Sequence, residues 1–228
     1  MHKKMKPSAL LSPIPAVMVS CKGKLPTDKP NIITIAWAGT ICTNPPMVSI
    51  SIRKSRYSYD IIKNTGEFAI NLVNKDLVKS ADYCGVKSGR DIDKYKACNL
   101  NTIKIDGLQY AVGIKQSPVI LGCKVKQIIE LGSHDLFIAQ TVSVLAEDQL
   151  FDGEKLCLDK ANLISYSHGE YFLQGKKLGF FGYSVASKKA LARRRRVRPA
   201  AKRGVQLGED NNSVSRSAKL YGKVLLIF

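Results

Sequence analysis

Ser49, Ser51, Arg53, Arg56 and Ser58 are spaced so that a short strand and a following helical turn can deliver them to one place. Residues 47–53 read as the strand. Val48, Ile50 and Ile52 share one side, and Met47, Ser49, Ser51 and Arg53 the other, because successive strand side chains face opposite ways. One side is purely apolar, while the other ends in hydroxyls and a guanidinium. Arg56 and Ser58 follow within a turn. Guanidinium forks match phosphate oxygens, hydroxyls add hydrogen bonds, and a helix N-terminus adds backbone N–H groups and the positive end of its dipole. The pattern is a receptacle for a phosphate carried on something flat and partly apolar. Read without further context, the same residues also fit an ordinary strand end with surface arginines and a capping serine.

The neighbouring elements must position that receptacle. Residues 16–21 form a short apolar strand. Residues 31–37 form a second, apolar enough on both sides to be buried on both. Gly39 and the Pro45-Pro46 pair punctuate residues 38–46 as a loop. Ser55 is expected to cap a helix over residues 56–63, which Asn64-Thr65-Gly66 ends. A strand over 68–72 and a short helix over 77–83 follow. Residues 85–101 read as a polar loop with one helical turn. Two long strands, 119–129 and 134–146, are joined at Gly132-Ser133 as a hairpin. Many strands, few helices and repeated hairpins predict a mainly β, antiparallel barrel rather than an alternating βαβ sheet.

The chain has 228 residues and a net charge of +18. Residues 186–228 hold 12 of the 36 Lys and Arg but only two acidic residues, so the body of the chain is modestly basic. That balance suits anionic small ligands at least as well as nucleic acid. The six cysteines are scattered, none in a CxxC spacing, and three histidines are too few and too dispersed to suggest a metal site. Scattered cysteines fit a reducing, cytoplasmic setting. Residues 8–20 are apolar but interrupted by Pro13 and Pro15, which argues against a secretory or membrane helix. Residues 1–185 are expected to form one domain. Residues 186–228 are expected to be a basic, disordered extension. That extension has no aromatic residue before Tyr221 for base stacking, which disfavours a nucleic-acid reading.

Three separated stretches, NIITIAWAGTICTNPPMVSISIRKSRYSYDIIKNTGEFAINL, GVKSGRDIDKY and YFLQGKKLGFFGYSV, resemble the flavin reductase-like, or flavoredoxin, family in the same order. The resemblance covers residues 8–185. It implies an FMN-binding split barrel of antiparallel, Greek-key type, in a homodimer with flavin near the interface. It also implies oxidoreductase activity, with electrons passing from NAD(P)H to flavin or onward to an acceptor protein or metal complex. It places cofactor contacts at Trp37, Ala38, Gly39, Thr40 and Cys42 and at Ser49, Ser51, Arg53, Arg56, Tyr57 and Ser58. Ser88, Arg90, Asp93 and Lys94 in the polar loop become candidates for substrate or subunit contact. His168, beside Gly169, is the single weak candidate for a catalytic side chain. A flavin carrier that NAD(P)H does not reduce is the alternative within the same fold. A nucleic-acid-binding protein acting through its basic tail is the remote one.

Overall fold

The computed structural model describes residues 1–190. By its internal contacts the chain divides into Met1–Gln174 and Gly175–Phe228. The described part of the second unit carries one turn of 3-10 helix, Tyr183–Val185. The expected basic extension lies outside the described residues from 191 onward.

The first unit is organised by a seven-stranded sheet. Its strands are β1 (Val17–Cys21), β2 (Asn31–Ile35), β3 (Ala38–Thr43), β4 (Pro46–Ile52), β5 (Glu67–Leu72), β6 (Val119–Glu130) and β7 (Asp135–Ala146). Their order across the sheet is β2-β1-β5-β6-β7-β4-β3, and every pairing is antiparallel. The β1–β5 and β4–β7 neighbours, distant in sequence, are the Greek-key connections.

The connectivity forces the sheet to roll. β2 and β3 lie at opposite edges, yet only Ala36 and Trp37 separate them. Seven flat strands would hold those edges about 29 Å apart. Three Cα steps reach about 11 Å. The sheet therefore curls until its edges approach at the Ala36–Trp37 link, while the Ser51 amide, donating to the Trp37 carbonyl at 3.0 Å, extends the β3–β4 pairing by one step. No ladder joins β2 to β3, so the barrel is split rather than closed.

Inside the roll lie Val48, Ile50 and Ile52 of β4, with Phe68 and Phe137. The expected alternation along residues 47–53 holds residue by residue. β2 is buried on both faces, as its composition predicts. Ile33 and Ile35 enter the roll, while Ile32 packs outward against Met18, Ala81 and Cys84. The outer layer contains helix α2 (Val78–Val86) and short helix α3 (Lys94–Ala97), while helix α1 (Tyr57–Thr65) follows β4.

Three local expectations need correction. Residues 38–43 are a strand, not a loop, because the sheet gives them a partner in β4 that outweighs the local glycine signal. β7 begins at Asp135, so His134 closes the turn, where its carbonyl accepts from the Leu131 amide. The α1 N-cap is Arg56, not Ser55, because the Arg56 amide first closes a turn onto the Arg53 carbonyl. No helix of the described residues is long and apolar enough to cross a membrane.

Candidate functional site

Two cavities meet along the end of β4. The larger, about 640 Å³, is walled by Ile33–Trp37 of the β2–β3 junction, by Ser51, Arg53 and Arg56, and by His134. Its far side comes from Leu10, Leu11 and Ser12, from Asp82 of α2, and from Tyr166, His168 and Tyr171. The smaller, about 280 Å³, is lined by Arg53, Ser55, Arg56, Tyr57 and Ser58, and by the loop Lys87, Ser88, Gly89 and Arg90. Arg53, Arg56, Ile33 and Gly85 border both.

The smaller cavity has the chemistry that could hold an anion. α1 has no side-chain cap; the Arg56 and Tyr59 amides turn back onto the Arg53 and Arg56 carbonyls, and the positive end of the helix dipole favours an anion there. Ser58 is buried, and its hydroxyl oxygen accepts from Asn31 Nδ2 at 2.8 Å, with the Cys21 thiol as its second neighbour. The loop is seated closely over this helix end. Arg90 Nη1 donates to the Ser55 carbonyl at 3.2 Å, and its guanidinium lies 5.4 Å from the centre of the Tyr57 ring. Gly89 is required by this seating. A Cβ there would come within 2.0 Å of Asn31 Oδ1 and 2.8 Å of Tyr57 Cδ1.

Lys94 and Asp93 have structural partners. Lys94 is 3% exposed, and its ammonium donates to the Ile32 and Cys84 carbonyls at 2.6 and 2.7 Å. Burial first, and the nearby Arg56 charge after it, push this amine below its ordinary range, while neighbouring thiols push back. Asp93 caps α3 by accepting from the Lys96 amide. Lys94 still borders the smaller cavity; Asp93 does not line it. Ser88 Oγ accepts from the Arg90 amide, which shapes the loop from within.

The larger cavity mixes rings with few charges. Trp37 and His134 pack with ring centres 4.7 Å apart, tilted by 44°. Burial, then the charges of Arg53 and Arg56, lower the His134 imidazole from its ordinary 6.5, so it is neutral at pH 7. His168 and Gly169 form a two-residue hairpin turn with φ of 49° and 97°, which aims the hairpin tip at the cavity rim. Tyr171 donates to Asp82 Oδ1 at 3.2 Å. Burial, followed by the Asp82 carboxylate, pushes the phenol up to about 12 and keeps it a donor at neutral pH.

The structure thus gathers Trp37, Ser51, Arg53, Arg56 and His168 around the larger cavity, and Arg53, Arg56, Tyr57, Ser58, Ser88, Arg90 and Lys94 around the smaller. Ala38, Gly39, Thr40, Cys42 and Ser49 lie along β3 and β4 beyond both linings. Asn31, Gly89, His134, Tyr166, Tyr171 and the segment from Ala9 to Ser12 went unread as site residues. Only Gly89, between two polar residues in a loop, carried a local signal for close backbone approach.

Comparison with known proteins agrees with this architecture. The family model described as the flavin reductase like domain matches residues 11–171. The fold superposes on flavoredoxin of Desulfovibrio vulgaris (Miyazaki F) with a TM-score of 0.75 and 26% identity, over 82% of this chain and all of that one. Flavoredoxin from Methanosarcina acetivorans follows at 0.72 and 23%, with the same coverage. In sequence, an uncharacterised protein of Archaeoglobus fulgidus is 28% identical over 127 residues, spanning 56% of this chain and 71% of its own.

Proposed function

The chain belongs to the flavin reductase like domain family, and on that premise we propose that it is an FMN-binding oxidoreductase reduced by NAD(P)H. One observation carries the reading: a ring-sized cavity and an anion cavity share the wall made by Arg53 and Arg56. A flat ring joined to a phosphate fits that junction. Arg53, Arg56, Ser58 and the α1 N-terminus would hold the phosphate, and Trp37, Ser51 and the β2–β3 junction would face the ring. Bound FMN supplies the hydride-accepting chemistry; the protein supplies position and electrostatics.

The chain's own residues have definable parts in that work. Arg53 and Arg56 neutralise a phosphate of about two negative charges. Their charges also disfavour protonation of His134, which keeps a neutral ring against Trp37. The Tyr171–Asp82 hydrogen bond ties the 166–171 hairpin to α2 and sets the width of the cavity. Leu10 and Leu11 add aliphatic side chains to its lining. A second copy of the chain, cytoplasmic location, and transfer to an acceptor protein or metal complex belong to the same reading.

The test is a visible spectrum of the purified protein after incubation with FMN and gel filtration. The reading expects a retained flavin spectrum that bleaches anaerobically on adding NADH or NADPH. A colourless protein that FMN cannot reconstitute ends it. Retained flavin that neither nicotinamide bleaches leaves a carrier instead of an enzyme.

A further inference from the structure

Cys84 and Cys98 flank the loop that closes the smaller cavity. Cys84 ends the buried face of α2 and itself lines that cavity, and Cys98 is the C-cap of α3. Their Sγ atoms lie 4.0 Å apart. Between them in sequence run Lys87, Ser88, Gly89, Arg90 and Lys94, all bordering the cavity. Both cysteines are free thiols. A disulfide needs about 2.05 Å between sulfurs, and side-chain torsions move a sulfur on that scale.

We propose that Cys84 and Cys98 form a thiol–disulfide site whose closure locks the 87–94 loop over the anion cavity. The chemistry balances with a small-molecule disulfide of the glutathione class as oxidant. Cys98, the half-buried member, loses its proton to solvent, and its sulfur attacks one sulfur of the oxidant. That S–S bond breaks, and one glutathione leaves as thiolate and takes up a proton. Cys84 then gives up its proton and attacks Cys98 Sγ, and the second glutathione leaves. Two protein thiols are oxidised to one disulfide, and one glutathione disulfide is reduced to two thiols. The order follows from exposure: Cys84 is fully buried, and burial pushes its thiol up to about 12, so it waits for a partner held beside it.

The consequence for FMN rests on the function proposed above; the cross-link does not. The experiment treats the full-length protein with oxidised glutathione, alkylates the remaining thiols, and maps the peptides by mass. The expected result is a Cys84–Cys98 linked peptide, with Cys84→Ala trapping glutathione on Cys98. A glutathione adduct that persists on Cys98 in the unsubstituted protein, an unmodified Cys98, or a link to another cysteine overturns the proposal. FMN dissociation is then followed for oxidised and reduced protein. A several-fold slower release after oxidation, abolished in Cys98→Ser, supports the lock. An intact cross-link with unchanged release overturns the lock, and FMN failing to bind either form overturns the flavin reading instead.

Discussion

The two cavities share a wall and differ in everything else. The smaller is made of cations and a helix end, and nine of its residues come from two short stretches, 53–58 and 87–90. The larger is made of rings and aliphatic chains from six separated stretches between Ala9 and Tyr171. A charged anchor can be written in a few adjacent residues, because helix start, hydroxyl and guanidinium all act over one turn. A slot for a flat ring has to be enclosed, and enclosure needs elements brought together by the whole fold. Affinity is therefore expected to reside mainly in the anchor, and selectivity in the slot.

The largest effect should come from removing the shared wall. Arg53→Ala with Arg56→Ala is expected to weaken FMN binding by about 3–6 kcal/mol, from about 1.5–3 kcal/mol for each hydrogen bond to a charged group. Fluorescence titration checks it, and unchanged affinity would remove both residues from the anchor. Next, Gly89→Ala forces a Cβ into Asn31 and Tyr57 and should cost about 1–3 kcal/mol, from the usual penalty for overpacking. Denaturant unfolding and FMN titration together should show lost stability and lost affinity; loss of neither would mean that the loop is not seated as described.

Changes in the slot should be smaller and of another kind. Tyr171→Phe removes one hydrogen bond to Asp82 and is expected to cost about 1 kcal/mol of stability. FMN affinity should hardly move, while the preference among acceptors should. A large fall in FMN affinity would contradict the division of labour. The smallest effect concerns His134. Its folded value lies below the ordinary 6.5, so below that pH the unfolded chain binds the proton first. This group's contribution to stability is present above pH 6.5 and is lost as pH falls toward the folded value. An anion that neutralises Arg53 and Arg56 should raise the imidazole again. NMR titration with and without FMN should show that rise, and an unchanged value would mean that the anion binds elsewhere.

How much was legible in the sequence follows the same divide. The period-two pattern of residues 47–53 placed Val48, Ile50 and Ile52 in the core and left Ser51 and Arg53 outside it, since alternation is a local property. The mainly β, antiparallel character was legible from the repeated hairpins. The status of residues 38–43 was not, because Gly39 signals a turn locally and only the non-local pairing with β4 makes a strand. Ser55 looked like a cap by residue type, but the turn closed by Arg56 onto Arg53 moves the helix start one residue on. His134 escaped notice because nothing near it in sequence shows that the turn after β6 lands against Trp37.

The central claim is that the end of β4 and the start of α1 anchor a phosphate that the neighbouring slot does not. Titrating the protein in parallel with FMN and with riboflavin, which shares the ring but lacks the phosphate, tests it most directly. FMN should bind far more tightly to the unaltered chain, and its advantage over riboflavin should shrink by orders of magnitude once Arg53 and Arg56 are alanine. Equal affinities in the unaltered chain, or a preference for FMN undiminished by both substitutions, would contradict it.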